Sequence, residues 1–234
     1  MANNLYNVAD NQQEISIIDE ALLKQKQAFS YALYLSAETC INDLTRLWIA
    51  ILVHQEQLVQ ALSKDFGCRS IDDSRMGDLL STIMGINYLI KHINKWMKAS
   101  KRHVGLLFQP AKAFVMYQPL GVVGIITPWN YPLFLSLGPL TAALSAGNRA
   151  IIKMSGFTSA TNEVINTLLG DIFSNDKVAL INGGPEVAAY FSTKAFEHLI
   201  FTGSTPVGKI VMASAAKNLT PVTLELGGKS LTII

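Results

Sequence analysis

The stretch LGVVGIITPWNYPLFLSLGPLTAALSAGNRAIIK, residues 120–153, decides the fold. It opens on a β-branched run, VVGII (122–126), and closes on another, AIIK (150–153). Each has strand length and strand composition. No charged residue occurs from Met116 to Asn148, which raises the question of a membrane span. Pro119, Pro128, Pro132 and Pro139 interrupt that run, together with Gly121, Gly124 and Gly138. The longest clean piece, Leu133 to Ala146, has the length of a buried core helix. The stretch therefore predicts a strand, a turn, a helix over about 132–146 and a second strand, with no membrane involved.

The same rhythm continues downstream. VALI (178–181), HLIF (198–201) and VTLE (222–225) are further short runs, with candidate helices at about 157–169, 185–192 and 206–217 between them. Such alternation predicts an α/β fold, a parallel sheet with helices on both faces. Upstream, the first hundred residues read as helices. Leu79, Ile83, Ile86, Ile90, Ile93 and Met97 recur at alternating steps of four and three. Ile41, Leu44, Trp48 and Ile51 form a similar stripe, for which Ser36 is the expected N-cap. Both stripes speak of core packing rather than chemistry. Gly105 and Pro110 break the helical pattern, and AFVMYQ (113–118) has strand composition, so 104–119 reads as an extended excursion forming a hairpin. It separates 14–103 from 120–234.

Half of the residues are hydrophobic and only 15% are charged, which predicts surface that is covered by other protein. A net charge of +2 without any Lys/Arg run excludes an electrostatic case for nucleic acid. Cys40 and Cys68 are too few for a disulfide framework, and the polar opening MANNLYNVADNQQE carries no apolar segment of a secretory signal. A reducing, cytoplasmic setting is expected.

Ligands of parallel sheets bind beyond the carboxyl ends of the strands, so the residues just after each run are informative. Asn130, after the first, offers an amide donor, or is an ordinary turn residue. Lys153, ending the second, places an ammonium where a ribose hydroxyl or phosphate would sit, or is a solvated strand cap. Gly183-Gly184-Pro185 is permissive backbone with or without a ligand. Gly203 and Ser204 precede a helix whose first-turn amides suit a pyrophosphate. The spacing there is G-x-x-x-x-G, not the dinucleotide fingerprint, and Ile210 breaks a Walker pattern. Glu225 ends an apolar strand, where desolvation raises a carboxylate toward a general base. Its alternative is a structural ion pair with Lys229.

ITPWNYP (126–132), FTGSTPVG (201–208) and VTLELGGKS (222–230), in this order and each behind its predicted strand, resemble the aldehyde dehydrogenase superfamily. HINKWMK (92–98), VGLLFQPAKA (104–113) and NLTPVTLELGGKS (218–230) resemble its coniferyl aldehyde dehydrogenase branch. The likeness runs from about residue 16 onward. It implies a Rossmann-like sheet in an NAD(P)-binding domain made of 14–103 and 120–234, with 104–119 as an oligomerisation excursion. Asn130 matches the oxyanion donor and Glu225 the general base. Trp129 matches a residue beside the cofactor, Lys153 the lysine on the adenosine ribose, and Gly183 a glycine at the adenine end. Gly203 and Ser204 match the loop near the pyrophosphate, Leu226 and Gly227 the turn beside the nicotinamide.

The implied activity is NAD- or NADP-dependent oxidation of an aldehyde to the acid through a cysteine thioester, by a dimer or tetramer and with no metal. The family's cysteine lies beyond Ile234, so the catalytic domain is expected to be absent from these residues and the chain alone inactive. Gly156 stands where many members carry a ribose-chelating glutamate, which leaves NAD and NADP both open. A non-catalytic dinucleotide-binding or subunit-association module is the rival reading.

Overall fold

Runs of branched aliphatic residues pair most readily where both faces of the strand are covered, and this chain supplies the cover with helices before and between its strands. The computed structural model describes residues 8–229. The start of the polar N-terminal opening (1–7) and the end of the last motif with the chain terminus (230–234) lie outside the described residues. Helices α1 (Val8–Tyr31), α2 (Ala37–Val53), α3 (Gln55–Phe66) and the short α4 (Ile71–Asp73) come first. A π-helical stretch, Ser74–Leu80, runs on into α5 (Ser81–Trp96). A hairpin follows, β1 (Ser100–Arg102) and β2 (Ala113–Val115), around a 3-10 turn at Leu106–Phe108. The sheet region then alternates: β3 (Val122–Ile126), α6 (Pro132–Ser145), β4 (Arg149–Lys153), α7 (Ser159–Ile172), β5 (Val178–Ile181), α8 (Pro185–Ser192), β6 (His198–Gly203), α9 (Thr205–Ala216) and β7 (Val222–Leu226).

The sheet order is β5-β4-β3-β6-β7, with every pairing parallel. Alternate residues of β3 enter different cores, as the two-residue period of a strand requires. Val123 and Ile125 pack with Leu44 of α2, Ile86 of α5, Leu133 of α6 and Ile165 of α7. Val122 and Ile126 pack with Ile18 of α1, Val187 and Phe191 of α8 and Val211 of α9. The apolar piece of the opening stretch is α6, with Leu133, Leu137, Leu140 and Leu144 all buried. Truncating such a leucine to alanine costs about 2–5 kcal/mol. No helix among the described residues is long and apolar enough to cross a membrane.

Local chemistry sets the boundaries. The Ser36 side chain accepts the amide of Thr39 at 3.1 Å, capping α2 as expected. Helix α7 starts at Ser159, later than the 157 expected, because Asp65 of α3 accepts the amides of Ala160 (3.0 Å) and Thr161 (2.7 Å) and so fixes the first turn. It also runs past 169 to Ile172, through Gly170. The hairpin begins at Ser100, not 104, with Ser100 opposite Val115. Its first strand, Ser-Lys-Arg, is exposed throughout and has none of the composition that marks a strand. Buried Gln25 ties α1 to the sheet region, donating Nε2 to the carbonyls of Ala150 (3.0 Å) and Asn175 (3.1 Å).

Candidate active site

Strand β3 lies between β4 and β6, so the chain leaves it first in one direction, to β4 and β5, and then crosses back to β6 and β7. The loops after β3 and β6 therefore diverge, opening a crevice at the point where such sheets bind ligands. A cavity of about 560 Å³ occupies it, lined by Pro128, Trp129, Asn130 and Leu135 from one loop and Thr202, Gly203 and Ser204 from the other. Glu225, Leu226 and Gly227 at the end of β7 complete it. A second cavity, of about 170 Å³, joins Lys153, Gly156 and Gly183. Between the two lies a third, of about 530 Å³, where Trp129 meets Asp65, Phe66 and Phe157. Each residue matched to a catalytic or cofactor role thus lines one of the first two cavities.

Asn130 is exposed, and its side-chain amide makes no hydrogen bond with a described residue. Glu225 sits opposite Thr202 in the ladder. The expectation of a desolvated carboxylate is not met: β7 is the edge strand, and Glu225 is exposed. No hydrogen bond or ion pair among the described residues joins it to Lys229. Beside it, Gly227 donates to the Gly203 carbonyl at 3.3 Å, tying the two loop ends together. Ser204 is the N-cap of α9, but its side chain makes no capping bond. The first turn of α9, which carries Pro206, therefore starts just behind the crevice without a cap from the Ser204 side chain.

Lys153 departs from the solvated-cap alternative. It is 3% exposed and donates Nζ to the carbonyls of Met154 (2.6 Å) and Gly183 (2.7 Å). Burial pulls its pKa down to about 8, against an opposing pull from the Glu14 carboxylate. Gly183 turns that carbonyl toward the lysine from a φ of +101°, a conformation that favours glycine. Cys40 lies in the core, where burial pushes its thiol up, and Cys68 is exposed; neither lines the crevice.

The sequence reading missed the supports of the Asn130 turn. Arg69, just after α3, donates Nη1 to the Asn130 carbonyl at 3.0 Å. The same guanidinium lies 3.3 Å from Asp78, which is fully buried and whose other oxygen accepts the Phe134 amide at 2.9 Å. Burial raises Asp78 to a pKa of about 6. The signal available was a pair of charges, Arg69 between α3 and α4 and Asp78 in the π-helical stretch, next to a stripe read only as core. Its partner loop lies too far away in sequence to be paired with it.

A family model described as "Aldehyde dehydrogenase family" matches residues 3–234. The chain is 47% identical, over its whole length, to a Pseudomonas aeruginosa protein named "Probable coniferyl aldehyde dehydrogenase", covering 49% of that relative. A substrate-bound structure of Staphylococcus aureus AldH superposes with a TM-score of 0.87 at 33% identity, covering 91% of this chain and 46% of that one. The structure of PnpE in complex with nicotinamide adenine dinucleotide does so with a TM-score of 0.81 at 29% identity, over 92% of this chain and 44% of that one. The chain spans about half the length of the curated relatives it matches. With its strand-end motifs gathered at the switch point, the chain belongs to the aldehyde dehydrogenase family.

Proposed function

We propose that residues 14–103 and 120–234 form the NAD(P)-binding portion of an enzyme that oxidises an aldehyde to its carboxylic acid. The observation that carries this reading is the meeting of Asn130 and Glu225, an amide donor and a carboxylate, in one crevice beside the uncapped first turn of α9. A pure binding module has no chemical use for that pair. The name of the Pseudomonas aeruginosa relative supports an aromatic aldehyde such as coniferyl aldehyde. The exposed tip of the hairpin, with Leu106, Leu107 and Phe108, supports 104–119 as a surface for joining copies of the enzyme. Unpaired Cys40 and Cys68 support a cytoplasmic setting.

The donors present fit a dinucleotide. The first-turn amides of α9, behind Gly203 and Ser204, suit a pyrophosphate. An ammonium has three donor protons, and the bonds to Met154 and Gly183 occupy two of those on Lys153, leaving one for a ribose hydroxyl. Gly183 borders the same small cavity at the adenine end, while Trp129, Leu226 and Gly227 border the crevice at the nicotinamide end. A bound nicotinamide dinucleotide supplies the hydride acceptor.

In this reading the attacking thiolate belongs to a cysteine beyond Ile234. As it adds to the aldehyde carbon, the Asn130 amide donates to the developing oxyanion. Loss of hydride leaves a thioester. Glu225 takes a proton from water, the resulting hydroxide adds to the thioester, and the acid and the thiolate separate.

The test is Glu225→Gln in an enzyme-length polypeptide carrying this sequence. Glutamine keeps the shape but accepts no proton, so reduced cofactor appears in a burst and steady turnover falls by about 10²–10⁴-fold. A mutant that loses the burst itself places Glu225 before hydride transfer and overturns the assigned role. The 234 residues alone produce no reduced cofactor with an aromatic aldehyde; steady production overturns the placement of the nucleophile.

A further inference from the structure

We propose that Arg69 is a positioning residue for this reaction: it holds the Asn130 turn in register with Glu225 through a brace shared with Asp78. The inference rests on the reading of Asn130 as the oxyanion donor and adds a role for residues from the helical N-terminal region.

Residues 128–130 reach the crevice from the end of β3, and among the described residues the only hydrogen bond to any of them is the one from Arg69 Nη1 to the Asn130 carbonyl. An amide donor acts on an oxyanion only if its backbone stays put, so the side chain of Asn130 inherits its position from this tether. The tether itself is fixed. Arg69 is 7% exposed in its side chain, with Nε bonded to Asp73 at 2.8 Å. Its guanidinium carbon lies 5.0 Å from the Phe66 ring centroid and 4.5 Å from that of Tyr131. Stacked between rings and bonded at its edge, a guanidinium has one orientation where an ammonium has many.

The other end of the turn is held by the same pair. Tyr131, the N-cap of α6, makes no side-chain capping bond. Asp78 does the capping from the π-helical stretch, accepting the Phe134 amide and facing Arg69 at 3.3 Å. Gly77 permits the approach, since a Cβ there would stand 2.7 Å from Cε1 of Tyr131. Arg69 thus pulls on the carbonyl side of the turn and Asp78 on the amide side, and their mutual charge couples the two. A purely structural ion pair needs no contact with residue 130.

The experiment uses Arg69→Met, Arg69→Lys and Gly77→Ala, each in the wild-type and the Asn130→Ala background of an enzyme-length polypeptide carrying this sequence. Arg69→Met is expected to lower kcat roughly tenfold to a hundredfold with KM values for aldehyde and cofactor changed less than about twofold. Arg69→Lys recovers part of the loss. In the Asn130→Ala background the further loss shrinks to less than about twofold, because a residue acting through Asn130 has nothing left to position. Hydrogen exchange, read separately, shows faster exchange at 131–135 and unchanged protection in β3 and β4. An unchanged kcat, or an equal loss in both backgrounds, overturns the proposal. Where Arg69→Met does not fold, Gly77→Ala decides by the same two readouts, since it displaces Tyr131 without removing a charge. If Asn130→Ala alone leaves kcat intact, the oxyanion reading fails, and exchange at 131–135 still decides whether Arg69 holds the turn.

Discussion

The two ends of the cleft differ in how finished they are. At the end near β4, Lys153 is buried, bonded to two carbonyls, and enclosed by Met154, Gly183 and Pro185 in a small cavity. At the end near β7, Glu225 and Asn130 are exposed and face a wider opening along an edge strand. A group meant to grip a ligand by charge gains from desolvation supplied by its own domain. Groups meant to meet a reacting carbon wait for whatever brings that carbon and the nucleophile. On the proposed reading, the difference makes the cofactor end of this unit the finished one and leaves the chemical end open.

That contrast breaks most readily at the exposed end. Asn130→Ala in the enzyme-length polypeptide should lower kcat by about 10²–10³-fold, the ordinary cost of an oxyanion donor. A value within twofold of wild type would mean that the open end carries no chemistry. Next comes the buried end, tested on the 234 residues alone. Lys153→Met should weaken NAD binding about tenfold to a hundredfold, as loss of a charged hydrogen bond does, by calorimetric titration. Unchanged affinity would make Lys153 a structural tie between the β4 and β5 loops.

Gly156→Glu sharpens the contrast with a smaller expected effect. A carboxylate there should favour NAD over NADP by about tenfold relative to the parent, through repulsion of a 2′-phosphate beside the partly desolvated site. An unchanged ratio of the two dissociation constants removes residue 156 from the ribose. The smallest effect is that of pH. Lys153 is charged below about 8 and neutral above it, so its attraction for the cofactor is present at pH 7 and declines as pH rises through 8. Stability moves the other way. Between about 8 and the ordinary lysine value of 10.5 the unfolded chain holds a proton that the folded chain has released, so the Lys153 contribution to stability rises with pH across that window. Affinity that increases from pH 7 to 9 would contradict the assignment.

The sheet was legible because its strands are short, branched and bounded by turn residues. VVGII and VALI coincide with β3 and β5 residue for residue. Helix α8 was read at its observed limits, since Pro185 marks its start. What escaped was structure made by distant partners. Asp65 delays α7 across 95 residues of sequence, and Arg69 reaches Asn130 across 61. The strand Ser100–Arg102 carries no propensity of its own and exists because Ala113–Val115 lies opposite. Motif order brought together the side chains that line the cleft, yet the exposure of Glu225 depends on what covers β7, which local sequence does not encode.

The bonds from Gln25 to Ala150 and Asn175 have a consequence in time. Synthesis makes α1 first, but its anchoring carbonyls follow 125 and 150 residues later. At about 5–20 residues per second, the helix waits roughly six to thirty seconds for them. Throughout that interval Ile18 and Ala21, buried in the finished fold, have no sheet to lie against. Helix α1 therefore leaves the ribosome well before its anchors, and the nascent chain must keep that apolar face from other partners until β4 and the residues leading into β5 have been made.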